Sequence, residues 1–118
     1  SNISFCADTG ADKTVLLPTD AIKMELDYDA LQEDSQPSVG IGGFSYNFVG
    51  PAIITFNEPR KAIQAYQIDL LIIEPEVALM ELPSLLGRDI LNQWRMRYSP
   101  TSNRLTFDVI TADFTFPL

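Results

Sequence analysis

Ile3-Ser4-Phe5-Cys6-Ala7-Asp8-Thr9-Gly10-Ala11 is the stretch on which the reading of this chain turns. The apolar run at residues 3–7 reads as a strand over 3–8 that delivers a carboxylate into a Thr-Gly turn. Such a junction fixes an acid in space. Taken alone, Asp8-Thr9-Gly10 is also an ordinary turn signal, because Asp and Gly both favour turns. Two later segments bear on the choice: Val39-Gly40-Ile41-Gly42-Gly43-Phe44 and Leu85-Leu86-Gly87-Arg88-Asp89-Ile90-Leu91.

Composition narrows the function classes. At 118 residues the chain is long enough for one domain with a real core, and residues 1–118 are read as one. Its longest apolar stretches are far too short to span a bilayer, and no basic, apolar, small-residue signal opens the sequence. That leaves the compartment open and favours the cytoplasm. A net charge of -8 argues against nucleic acid, which needs a basic face. There is no histidine, so Ser-His and Cys-His hydrolases are excluded and a zinc site is disfavoured. Cys6, the one cysteine, is expected to be a packed thiol in its strand. The acids Asp27, Asp29, Glu33 and Asp34 lack the spacing and the glycine of a calcium loop. No cofactor or metal is called for.

The rest of the chain reads as mostly β. A short strand at 14–17 stops at Pro18. Thr19 is expected to cap a brief helix over 20–25, with Asp20 at its positive end. Residues 27–37 form a polar connection. A hairpin follows around Gly40 to Gly43, with a return strand through Tyr46 and Phe48, a kink at Gly50-Pro51, and onward to Ile53, Ile54 and Phe56. Asn57-Glu58-Pro59-Arg60 is a turn signal. Residues 61–73 read as a strand with β-branched Ile72 and Ile73, although 62–72 could also be drawn on a helix. Pro75 and Pro83 bracket a loop or edge segment. A helix is predicted over 87–94 from the spacing of Ile90, Leu91 and Trp94. Strands at 95–98 and 104–109 flank a Ser-Pro-Thr-Ser-Asn turn, and 113–118 adds a last short strand.

Two adjacent carboxylates that share one proton can hydrolyse a peptide bond without metal, serine or cysteine. The ionised acid takes a proton from water while the protonated acid donates to the carbonyl oxygen. Sharing follows from electrostatics. Two carboxylates about 3 Å apart at an effective dielectric near 20 repel by roughly 5–6 kcal/mol. That splits the two proton losses of the pair by about 4 pH units. The sequence holds one Asp-Thr-Gly, so the second acid of such a pair must come from another chain.

The order and spacing of the tetrad, the glycine-rich segment and the Leu-Leu-Gly-Arg-Asp segment make the whole chain resemble the retropepsin-like aspartic peptidases. The resemblance implies an all-β, closed-barrel-like domain with a glycine-rich flap hairpin and one short C-terminal helix, acting as a symmetric homodimer. It implies catalytic Asp8, with Thr9 interlocking across the two-fold axis and Gly10 allowing close backbone approach. Ala11 stands where a hydroxyl residue is usual in pepsin-like enzymes. Without that donor to the charged acid, a mildly acidic working pH is expected. Val39, Gly40 and Ile41 would belong to the flap, with Phe44 flanking it. Ala11, Asp12, Val15, Pro83 and Leu85 would contact substrate in a cleft suited to apolar side chains. Arg88 would form a partly buried ion pair with Asp12, worth about 3–5 kcal/mol if broken.

The resemblance also implies a further strand before residues 3–8 that this sequence does not contain, so a trimmed form or a replaced strand is expected. The hairpin 95–98/104–109 offers a substitute for its dimer role. In that it looks closer to cellular members, including bacterial ones and the DNA-damage-inducible ubiquitin-shuttle proteins, than to viral ones. A rival reading is a non-catalytic peptide-binding or dimerisation module on the same fold, against which an intact Asp8 counts. Chance occurrence of the three motifs in an unrelated β domain is the third.

Overall fold

A computed structural model describes residues 2–28, 31–33, 38–40, 43–45, 47–73 and 79–118. Its strands are β1 (Phe5–Ala7), β2 (Val15–Leu16), β3 (Gln32–Glu33), β4 (Ser38–Gly40), β5 (Gly43–Ser45), β6 (Asn47–Glu58), β7 (Ala62–Ile73), β8 (Ser84–Leu86), β9 (Trp94–Ser99), β10 (Arg104–Val109) and β11 (Phe114–Pro117). Two short helices are α1 (Pro18–Lys23) and α2 (Arg88–Leu91). The all-β expectation holds, with one helix more than the resemblance implies.

Seven strands form one sheet in the order β1-β8-β2-β7-β6-β3, with β11 also on β7. Among the described residues this is a path with a branch at β7. Two hairpins stand apart from it, β4–β5 and β9–β10. The spine is the antiparallel pair β6–β7, in register from Asn47↔Ile73 to Glu58↔Ala62. The helical alternative for 62–72 is therefore wrong. The ladder also runs unbroken through Gly50↔Leu70 and Pro51↔Asp69, so the kink expected there does not interrupt pairing. The turn between them holds Arg60 at φ 68, and the Lys61 amide closes it on the Glu58 carbonyl at 3.1 Å.

Strand β7 has a shared edge. Its C-terminal part takes β2 in parallel at Leu71 and Ile72, and its N-terminal part takes β11 antiparallel from Ala62 to Ala65. Three apolar clusters pack against this frame. Leu16, Leu70 and Ile72 cluster with Ala21 of α1. Leu17, Ile73 and Leu79 form a small satellite. Tyr66, Leu86, Ile90 and Leu91 join β7 to β8 and α2.

Several local expectations give way to packing. Thr19 does not cap α1. Leu17 occupies that position without a side-chain bond, and Pro18 opens the helix, where a missing N–H costs nothing. The Thr19 hydroxyl donates instead to the Met80 carbonyl. The polar connection contains β3, paired to β6 through Gln32↔Val49 and Glu33↔Phe48. The loop or edge segment expected between Pro75 and Pro83 lies partly outside the described residues, and Pro83 is followed directly by the strand β8.

The helix predicted over 87–94 ends at Leu91. Trp94 is drawn into β9 by an aromatic cluster, with Phe56 at 4.8 Å, Phe107 at 5.3 Å and Tyr66 at 6.1 Å between ring centres. Its indole N–H donates to the Tyr66 hydroxyl at 2.7 Å, which in turn donates to the Thr111 carbonyl at 2.8 Å. Aromatic contacts of this kind add about 0.5–1.5 kcal/mol each beyond burial. Cys6 is exposed, not packed.

Candidate active site

Strand β1 lies at one edge of the sheet, parallel to β8 through Phe5↔Ser84, Cys6↔Leu85 and Ala7↔Leu86. Pairing carries one step beyond the strand, since the Asp8 amide donates to the Leu86 carbonyl at 2.9 Å. The chain then turns. The Ala11 amide returns to the Asp8 carbonyl at 3.1 Å, and the Gly10 amide donates to Asp8 Oδ1 at 2.9 Å. A Cβ on residue 10 would sit 3.2 Å from that same oxygen, so glycine is what lets the amide approach the carboxylate. Asp8 is half-buried while Thr9 and Gly10 are exposed.

The β8–α2 junction holds this turn from behind. The Arg88 amide donates to the Ala11 carbonyl at 2.8 Å and the Asp89 amide to the Asp12 carbonyl at 3.2 Å. Gly87 has no room for a side chain, because a Cβ there would lie 2.4 Å from the Lys13 carbonyl carbon. Arg88 Nη1 donates to the Thr9 carbonyl at 2.9 Å, and its guanidinium pairs with Asp12. That pair is not the partly buried one expected. Its side chains are 41% and 82% exposed, so the ion pair contributes about 0–1 kcal/mol. The Thr9 bond is the more directional restraint.

Of the other residues singled out, Val15 and Leu85 meet as antiparallel partners between β2 and β8, both half-buried, and Pro83 is exposed just before β8. Val39 pairs with Phe44 and Gly40 with Gly43 in the β4–β5 hairpin. Among the described residues this hairpin pairs with itself and not with the sheet that carries Asp8. Ile41 lies outside the described residues. Among the described residues no cluster of three or more metal-ligating side chains occurs.

Sequence reasoning gave no role to Thr14, Ser84 or Asp89. Thr14 and Ser84 are wholly buried polar residues. Ser84 Oγ accepts the Leu17 amide at 3.0 Å and donates to Asp20 at 2.5 Å, tying β8 to α1. The one available signal was the position of Asp89 in the first turn of a helix, and an acid there is ordinarily solvated beside the helix amides.

Strands β1, β8 and β2 with the clamped turn set the chain beside a known architecture. The chain has a retropepsin-like fold. It is similar to the crystal structure of a retropepsin-like aspartic protease from Rickettsia conorii, with a TM-score of 0.54 and 23% sequence identity over 90% of this chain and 79% of that one. No protein-family model matches the sequence, and no curated protein does. No helix among the described residues is long and apolar enough to cross a membrane.

Proposed function

We propose that this chain, as one domain over residues 1–118, is an aspartic endopeptidase that works as a homodimer. The observation that carries the reading is the delivery of Asp8 by β1 into an exposed turn whose carboxylate faces the Gly10 amide at 2.9 Å. The retropepsin-like fold supports it. Asp8 of each copy supplies one acid of the pair. The ionised acid takes a proton from water, whose oxygen bonds to the carbonyl carbon while the other acid protonates the carbonyl oxygen. The acid that took the water proton then passes it to the amide nitrogen, the other acid recovers a proton from a hydroxyl of the tetrahedral diol, and collapse breaks the C–N bond to release the amine and the new carboxyl group. Exposed Thr9 and Gly10 are free to meet their counterparts across the axis.

Ala11, Asp12, Val15, Pro83 and Leu85 line the cleft in this reading, and Val39, Gly40 and Ile41 close over it. Substrates are peptides with apolar residues at the cut. Arg88 braces the turn, and no cofactor takes part.

Incubation with a denatured protein mixture across pH 3–8, with cut sites read by mass spectrometry, tests the reading. Cuts are expected with the wild type and none with Asp8→Asn. Equal cutting by the variant, or full activity from a species that sediments as a monomer, would refute the shared-acid mechanism.

A further inference from the structure

We propose that Asp89 is a positioning residue for the Asp8 turn and acts on it through Thr14; the proposal rests on Asp8 being the reacting acid. The Asp89 carboxylate faces the Thr14 amide with both oxygens, at 3.1 and 3.0 Å, and accepts the Thr14 hydroxyl at 2.7 Å. It also accepts the Ile90 amide of its own helix at 3.0 Å. Every one of these contacts uses the carboxylate as an acceptor.

Thr14 passes the restraint on. Its hydroxyl accepts the Gly87 amide at 3.1 Å, and its carbonyl accepts the Leu71 amide of β7 at 3.3 Å. The segment that follows Asp8 is thus tied at both ends. The Asp8 amide is held by Leu86, and Thr14 is held by Asp89. Between them, the Ala11 and Asp12 carbonyls are held by main-chain amides of α2.

Two side chains of α2 contribute to the clamp, Arg88 and Asp89, and their environments differ. The Arg88 pair is exposed. The Asp89 contacts end on a residue with no solvent exposure. Removing an acceptor from a buried amide and hydroxyl costs more than removing a solvated ion pair. With Thr14 released, the turn loses its far anchor, and the direction of the Asp8 carboxylate is no longer fixed by the sheet.

Amide exchange on 15N-labelled protein, together with peptide-cleavage kinetics, tests this. The variants are Asp89→Ala, Asp89→Asn, Thr14→Val and Thr14→Ser, with the β6–β7 amides as internal reference. Asp89→Ala is expected to speed exchange about tenfold or more at Thr14, Asp8, Gly10 and Ala11 while the reference amides keep their rates. Its kcat should fall about 100-fold with KM changed less than about threefold, the pattern of a displaced reacting group.

Thr14→Ser, which keeps the hydroxyl, should match the wild type. Thr14→Val should lower kcat and add nothing in the Asp89→Ala background. Asp89→Asn keeps Oδ1, which accepts the Thr14 amide, the Thr14 hydroxyl and the Ile90 amide, so it should lose less than Asp89→Ala. Should Asp89→Ala fail to fold, Thr14→Val makes the same test, since it removes the hydroxyl that the carboxylate accepts. Faster exchange at Thr14 alone, or effects of Thr14→Val and Asp89→Ala that multiply, would overturn the proposal. The exchange rates need no substrate. A wild type that cuts nothing therefore refutes the peptidase reading, while the tetrad amides still decide the role of Asp89.

Discussion

At the scale of the residue, Ala11 would set the working pH if the proposed mechanism holds. A hydroxyl at that position would donate to the charged acid and favour its ionisation, and alanine has none. Under the proposed mechanism the cleavage optimum is mildly acidic, and a measured optimum below about pH 3 would contradict this. Ala11→Ser is expected to move the optimum acidward by about one unit, the equivalent of one hydrogen bond to a charged group. A pH–rate series on the two proteins with the same peptide checks it. The tetrad was legible in sequence because its residue types are demanding: an acid, and a glycine whose Cβ would press on that acid. Asp89 was not legible. Its partner is Thr14, 75 positions away, and nothing local to a helix start reveals which way a carboxylate turns.

At the scale of the element, strand β8 is the part the sequence hid best. Strand β8 is three residues long, so period-two alternation has no room to show. Its central place between β1 and β2 comes from tertiary pairing. The same holds for β3, two residues in a polar stretch. Long elements read correctly, as β6, β7 and the β9–β10 hairpin did, because their patterns extend over enough residues to outweigh local ambiguity. Trp94 misled for the opposite reason. It fits helical spacing with Ile90 and Leu91, but the aromatic cluster claims it for a strand. The tightest point of the β8–α2 junction is Gly87. A methyl group there meets Lys13 backbone at 2.4 and 2.5 Å, which no rotamer change relieves. Gly87→Ala is expected to cost about 2–3 kcal/mol or more, read as a lower urea midpoint with an unchanged slope. Arg88→Ala, by contrast, should cost about 1 kcal/mol, since its contacts are solvent-exposed.

At the scale of the whole molecule, Tyr66 couples the sheet to the C-terminal hairpin. Burial pushes its hydroxyl above the ordinary value of 10.0, the Trp94 hydrogen bond pulls it back, and the charges of Glu58 and Asp113 add to the rise. The folded chain therefore keeps this proton where the unfolded chain has lost it. The contribution to stability is fully present below about pH 10 and is lost as pH climbs past the unfolded value. Tyr66→Phe should flatten that alkaline decline. It should also cost about 1–3 kcal/mol at neutral pH, because the Trp94 N–H and Thr111 carbonyl lose their partner. Urea unfolding of both proteins from pH 7 to 11 separates the two effects.

The exposed Cys6 gives this architecture a built-in ruler. It is the one thiol in the chain and stands two residues before Asp8, a span of about 7 Å in extended backbone. A nitroxide attached there marks every copy once, with no cysteine to be engineered in or out. In an assembly that brings two Asp8 side chains together, the spin pair sits at short range and the dipolar signal is strong. In one held together by some other face it is weak or absent, whatever the sedimentation coefficient says.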